Sequence, residues 1–537
     1  MYLGNLSVAP GLFAMAMLAA PVMPAHAASA NTLAITPGKL PRIATVDPRF
    51  QSYNVEMAEV VGGTFWKPYT PESIAAMKAE KASNAAGGVV GQNKTMFEAR
   101  PPINLDNARL RKLAAALGPA YVRVSGTWAN SVYFADTVTP PKTAPKGFEG
   151  VLTRADWKNV FAFARAADAK VVTSFTISAG VRNKEGVWTP VEARKFVDYT
   201  KSIGGHIAAA EFFNEPDMPV YGGAPKGYTA QDYARDFAVF RKFARSDAPD
   251  MKIVGPGSVG EGVLMPQMAA GQGLADGLVK TTDMLSAKPN PKFDIFSYHF
   301  YGAASMRCTA MGAQTTAEDA LSEPWLALAG KSWDFYVKGL RDQFDPGKPV
   351  WITETADAAC GGNPWAATFL DTFRYLDQHA LLAQRGVAVI FHNTLASSEY
   401  GLLDANTFEP RPNYWAALLW NRLMGTTVLN AGASRPGLHV YAQCTKGHPG
   451  GVTVLAINNS RTEPSTLDLP MASQRYTLSA ARLEDTQVQL NGHVLALGAD
   501  NALPALDGEP TKAGHVSLAP ATISFFAIER ARNPACH

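Results

Sequence analysis

Residues 207–219 read IAAAEFFNEPDMP, and residues 349–362 read PVWITETADAACGG. Each is a short apolar run that stops at a polar group containing a glutamate, Glu215 in the first and Glu354 in the second. Six more runs of the same texture lie between residues 50 and 425: YNVEM (53–57), YVRVSG (121–126), VVTSFTIS (171–178), MKIVGPG (251–257), FDIFSYHFY (293–301) and GVAVIFHN (386–393). Helical patterns separate them. Over residues 228–245, Tyr233, Phe237, Phe240 and Ala244 recur on one face behind Thr229 as a cap. Residues 107–117 read as a shorter helix, capped by Asp106 and stopped by Gly118-Pro119. Strands alternating with helices build a parallel sheet, and eight strands are the number that closes a (β/α)8 TIM barrel of the α/β class.

After about Leu429 the texture changes. LHVYAQC, GVTVLAINN, VQLNGHVLAL and HVSLAPATISFFAIE are β-rich and separated by Gly, Pro and Asn, the pattern of an antiparallel β-sandwich. The expected division is a leader over residues 1–27, a strand region over 28–48 that joins the sandwich, the barrel over 49–425 and the β-sandwich over 426–537.

Of the 537 residues, 47% are hydrophobic and 18% charged, so a large core is available and extended disorder is not expected. A net charge of +3 is far from that of a nucleic-acid binder, and no nucleic-acid partner is expected. The apolar stretch LFAMAMLAAPVM followed by Ala25-His26-Ala27 reads as a secretory leader, although no Lys or Arg precedes Lys39. That reading places the protein outside the cell or in a periplasm, with no stable membrane span once the leader is cleaved. The four cysteines, Cys308, Cys360, Cys444 and Cys536, form an even set suited to an oxidising compartment, and spacing leaves three connectivities open. No CxxC and no HExxH occurs, and no metal or cofactor is implied.

In such a barrel the reacting groups sit at the C-terminal ends of the strands. Glu215 after the fourth strand and Glu354 after the seventh would then face one mouth. Glycoside hydrolysis needs such a pair, one carboxyl donating a proton to the leaving oxygen and the other attacking or activating water. An acid carboxyl needs a raised pKa, which a nearby ionised Glu354 would help supply. Asn214 is placed to hold a sugar hydroxyl. At the end of strand six, Tyr301 is placed to hydrogen-bond Glu354, with His299 beside it. Glu56 on strand one and Thr127 after strand two are candidates for contacts to sugar hydroxyls. The stretch Gly255–Gly260 matches GxGxxG, and Asp276 lies about twenty residues on. The segment between is rich in Gly and Met and the count is that of a barrel, so a dinucleotide site is set aside.

Taken together, several segments resemble glycoside hydrolase family 79, the heparanase-like family. They are NEP (214–216), TETADAACGG (353–362), EYGLLDANTFEPRPNYWAALLWNRLMGTTVL (399–429) and VQLNG (488–492), with the cysteines near the C-terminus. The resemblance spans most of the chain after the leader. It implies a barrel carrying a β-sandwich and a retaining hydrolase of β-glucuronides, with Glu215 as acid/base and Glu354 as nucleophile. It further implies Asn214, Glu56, Thr127, His299 and Tyr301 as a lining for the sugar, Gly361, Gly362 and Tyr400 as receivers of the glucuronate carboxylate, and a Cys444–Cys536 bridge. A turn with two successive N–H groups is a natural anion site, and a Tyr hydroxyl adds a donor. The chain departs from mammalian members in having only TVTPPKTAPKG (137–147) where they carry a long excised linker, so activity without proteolytic maturation is expected. It also lacks clustered Lys and Arg around EGVLMPQMAAGQG (261–273), which weakens the case for a densely sulfated polymer. The resulting expectation is an endo-β-glucuronidase acting on heparan sulfate-type glycans. The alternatives are an exo-β-glucuronidase on small glucuronides, a barrel glycosidase for a neutral β-sugar, and a non-catalytic carbohydrate-binding protein. The substrate is expected to be a polysaccharide or glucuronide, and the chain a monomer.

Overall fold

The structure, a computed structural model, describes residues 1, 32–83, 96–266, 277–308 and 312–537. The leader reading and Asp276 fall outside these residues.

Eight parallel strands close a barrel: β1 (Gln51–Glu56), β2 (Ala120–Ser125), β3 (Ala169–Ser174), β4 (Ile207–Glu211), β5 (Lys252–Ser258), β6 (Ile295–Ala304), β7 (Val350–Ala359) and β8 (Val387–His392). β8 pairs with β1 through Ile390–Gln51 and His392–Tyr53, which completes the ring. Alternate residues of a strand face opposite ways. Tyr121, Val172, Ala209, Val254, Ile295, Trp351 and Val389 form one buried cluster that fills the barrel. Val122, Val124 and Ile253 join a second cluster with the helices around it. Two residues further along β2 and β4, the same alternation turns Arg123 and Glu211 inward, above the apolar layer.

The helix Ala230–Asp247 is capped by Thr229, whose side chain accepts from the Asp232 N–H, and buries Tyr233, Phe237, Phe240 and Ala244. The helix Ala108–Ala116 corrects the sequence reading by one residue. Asn107 is the cap and its side chain accepts from the Leu110 N–H, whereas Asp106 is exposed and pairs with Arg111. Either residue type can cap a helix; the extended backbone of Asn107 decides which one does.

The C-terminal region supplies a nine-stranded sheet and a three-stranded sheet. Arg42–Thr45 pairs with Met424–Leu429 at one edge of the larger sheet, and Thr32–Ala34 pairs with Ser465–Leu469 in the smaller. Val440, Val454 and Phe526 of the large sheet pack with Leu467, Leu469 and Val516 of the small one. Their neighbours Tyr441, Leu455 and Phe525 turn the other way and join the main core. The large sheet is thus covered on both faces, which explains why its strands read as continuous apolar runs although they are antiparallel. A disulfide joins Cys444 to Cys536 in this region, and a second joins Cys308 to Cys360 at the barrel mouth. Among the described residues no helix is long and apolar enough to cross a membrane.

Candidate active site

β6 and β7 are the longest barrel strands. They run together to Ala304 and Ala359, beyond the ends read from sequence at Tyr301 and Glu354. Glu354 therefore lies inside β7, beside His299 across the ladder. The register shifts between Tyr298 and His299, leaving Thr353 as an extra residue. Such a bulge re-aims the side chain that follows it. Glu215 lies four residues beyond β4 with a φ of +50°, a conformation that a non-glycine residue adopts only where its surroundings hold it. The holding group is Asn130, which accepts from the Asn214 N–H at 2.8 Å and donates to the Asn214 carbonyl at 2.9 Å.

Donor atoms of Glu215, His299 and Glu354 all lie within 4.8 Å of one another. Arg123, fully buried, donates to Glu354 Oε2 at 2.9 Å, to Glu211 Oε2 at 2.8 and 3.0 Å, and to Asn214 Oδ1 at 2.7 Å. With its carboxamide oxygen taken, Asn214 keeps its amide N–H groups for another acceptor. Tyr301 donates to Glu354 Oε1 at 2.6 Å. Asn393 Nδ2 lies 2.9 Å from the Tyr301 hydroxyl and 3.2 Å from that of Tyr400. His299 Nδ1 is 3.1 Å from Glu215 Oε1, and its Nε2 is 3.7 Å from Glu211.

These contacts sort the charges. Burial opposes a charge on His299, but Glu354 together with the bonds to Glu211 and Glu215 overcomes it and raises the imidazole to about 10. Glu211 is buried too, yet the Arg123 guanidinium beside it draws it down to about 2. Glu215 is raised, chiefly by burial; the His299 bond opposes this and the charge of Glu354 adds to it. Burial is the larger cause, and Glu354 adds to it as the sequence leads one to expect. Glu56 is raised well above the carboxylate range by burial and by Glu354. Two cations, Arg123 and His299, thus face Glu211 and Glu354, while burial makes Glu215 and Glu56 the carboxyls of the cluster that hold a proton more tightly than usual. The Glu215–His299–Glu354 triangle is small enough to share a divalent ion; in this structure its atoms are engaged by Arg123 and Tyr301 on Glu354 and by the His299–Glu215 contact.

Glu56 ends β1, is 4% exposed and packs against Gly126. That glycine has a φ of +92°, and a Cβ on it would fall 1.6 Å from Glu56 Oε2, so any other residue would strain the backbone and push the Glu56 carboxyl aside. Thr127 follows, half-buried, at the start of a short turn. Gly361 and Gly362 lie in the turn after β7, with φ values of +81° and +80°. Ser305 and Arg307 donate to the Cys360 carbonyl and the Glu399 N–H to the Gly361 carbonyl. Because a trans peptide points its N–H opposite its C=O, the Gly361 and Gly362 N–H groups point away from those donors. The Tyr400 ring lies against Gly362, and burial keeps its phenol un-ionised.

Arg123, Glu211, Asn130 and Asn393 are the members of this cluster that the sequence reading did not single out. A signal for the first was present: an arginine at an inward position of YVRVSG, between valines, has nowhere to go but the barrel interior. Nothing local marks Asn130 or Asn393, which act through residues 84 and 39 positions away.

No protein-family model matches the chain. It is 26% identical over 478 residues to the hyaluronoglucuronidase of Hirudo nipponia, an alignment covering 81% of this chain and 92% of the relative. With the heparanase of Mus musculus it shares 27% over 495 residues, covering 80% and 88%. The chain is thus similar to heparanase-like glycoside hydrolases over most of its length. Its fold is also that of solved barrel glycosidases. A 4-O-α-L-rhamnosyl-β-D-glucuronidase from Fusarium oxysporum superposes with a TM-score of 0.61 at 14% identity, over 92% of this chain and all of the other. With these relatives and this fold, the protein is a glycoside hydrolase.

Proposed function

We propose that the protein is a retaining β-glucuronidase acting on glycans that carry β-linked glucuronic acid. The observation that carries this reading is the division of labour between two carboxyls, one oxygen of each lying within 4.8 Å of the other: Glu354 is held by two donors, and Glu215 is buried with its pKa raised. Retaining enzymes keep the pair about 5–5.5 Å apart, whereas inverting ones leave about 6.5–9.5 Å for a water. In this mechanism Glu354 attacks the anomeric carbon while Glu215 protonates the leaving oxygen, and Glu215 then takes a proton from the water that releases the sugar. Arg123 and Tyr301 aim the nucleophile. Asn214 and the protonated Glu56 donate to sugar hydroxyls, and Thr127 lines the same side. The N–H groups of Gly361 and Gly362, with the Tyr400 hydroxyl, receive the sugar carboxylate. The name of the leech relative, a hyaluronoglucuronidase, supports a glucuronide substrate. Two disulfides and the leader reading support secretion into an oxidising compartment.

The test is proton NMR of the first product formed from an aryl β-glucuronide. Release of β-glucuronic acid before mutarotation is expected. First release of the α-anomer would remove the retaining mechanism, and faster hydrolysis of the matching aryl β-glucoside would remove the uronate preference.

A further inference from the structure

Between β1 and β2 the chain builds a small hairpin, Gly63–Trp66 paired with Phe97–Arg100, that leans over the barrel mouth. Trp66 stacks on Phe97 with ring centroids 4.7 Å apart and meets the edge of Trp128, the residue after Thr127, at 5.9 Å. On its other side it reaches the turn after β7, where a Cβ on Gly361 would lie 2.9 Å from Trp66 Cγ. The segment that follows is fastened to the same turn. The Tyr69 hydroxyl donates to the Gly362 carbonyl at 3.1 Å, and the Tyr69 N–H to Glu399 Oε1 at 3.0 Å. Arg307 lies 3.8 Å from the centre of the Tyr69 ring, donates to the Lys67 carbonyl at 2.6 Å and pairs with Glu399 at 2.7 Å. The wall therefore runs from the end of β2 to the end of β7, across the β8–β1 side. Among the described residues the opposite side is more open. The Glu215 side chain is 17% accessible against 8% for Glu354, and Val220 and Tyr221 in the loop beyond Glu215 are exposed.

We propose that this wall makes the enzyme exo-acting: it removes one terminal β-glucuronic acid whose O4 is unsubstituted. The inference rests on the reading of Gly361–Gly362 as the receiver of the sugar carboxylate. In a pyranuronate the carboxylate is on C5, and C4, through which a 1,4-linked chain continues toward its non-reducing end, is the adjacent carbon. A turn that grips the carboxylate therefore lies beside O4, and Trp66 and Tyr69 close the space into which a further sugar would extend. The leaving group departs from C1, across the ring, toward Glu215 and the open side. Water adds across the C1–O bond, yielding free glucuronic acid and a chain one residue shorter.

The test uses two oligosaccharides of alternating glucuronic acid and N-acetylglucosamine, labelled at the reducing end. They are identical except that in one the terminal glucuronic acid carries an N-acetylglucosamine on O4. A 4-nitrophenyl β-glucuronide reports the chemistry itself. Expected are hydrolysis of the aryl glucuronide, loss of a single uronic acid from the uncapped chain, and cleavage of the capped chain at least about 100-fold more slowly. Internal cleavage of the capped chain at a comparable rate overturns the inference while leaving the glucuronidase reading intact. No hydrolysis of the aryl glucuronide overturns that reading and this inference with it. Trp66→Ala is expected to raise the capped-to-uncapped rate ratio at least about tenfold. Tyr69→Phe keeps the ring on Arg307, removes only the hydroxyl bond, and should move the ratio the same way. A folded pair of variants with the wild-type ratio shows that this hairpin is not the barrier.

Discussion

His299→Gln tests the charge arrangement on which the assignment of acid and nucleophile depends. The glutamine can keep a donor toward Glu215 Oε1 but removes the positive charge 3.1 Å away. At an effective dielectric of about 20, a unit charge at that distance stabilises the Glu215 carboxylate by about 5 kcal/mol. Since one pH unit corresponds to about 1.36 kcal/mol, that is an upper limit near four units. The retained hydrogen bond and the nearby Arg123 reduce it. The sign is fixed: with the cation gone, Glu215 holds its proton to higher pH. The basic limb of the kcat/KM profile, which reports loss of the acid's proton, is therefore expected to move up by about one pH unit or more. The assay is kcat/KM on an aryl β-glucuronide from pH 4 to 10, with thermal unfolding as a check on folding. An unmoved limb, or one displaced downward, means that His299 is not the charge that restrains Glu215.

Glu354→Gln should lower turnover at least about 10⁴-fold while circular dichroism and melting stay close to wild type; residual activity within tenfold of wild type would remove Glu354 as nucleophile. Gly126→Ala places a methyl group on Glu56 at a positive φ, and urea unfolding should record a loss of about 1–3 kcal/mol; a change below about 0.5 kcal/mol contradicts the packing described. His439 lies between Asp377 and Glu323 where the large sheet meets the barrel helices; burial opposes its charge, but Asp377 and then Glu323 raise it to about 10. A raised histidine stabilises the fold fully below its ordinary value near 6.5, and that contribution is lost as pH climbs through 10. Stability measured by denaturant should therefore fall between pH 7 and 10, and His439→Gln should flatten that fall; a parallel curve in the variant would show that other groups cause it.

The eight barrel strands were legible in the sequence because each is largely buried on both faces and reads as a short apolar run. The carboxylate pair was legible because a barrel confines its chemistry to one set of strand ends, so a glutamate just beyond the fourth strand and one late in the seventh are singled out by count alone. The helix cap at Asn107 was missed by one residue because Asn and Asp compete on equal terms until a backbone angle is known. Asn393 gave no signal, since an asparagine at a strand end looks like any turn residue until Tyr301, Tyr400 and Glu354 converge on it.

What the sequence determined by itself is therefore periodic: strand count, alternation, and the residues that alternation delivers to the barrel mouth. What only the tertiary structure decided is convergent. Arg123 and His299 come from different strands, and their meeting with Glu211, Glu215 and Glu354 sets the charge balance at the barrel mouth. The Gly63–Trp66 hairpin gains its meaning only by lying on Gly361, almost 300 residues away along the chain. Local pattern records how a segment buries its own side chains, whereas charge balance and steric closure belong to atoms brought together from distant segments.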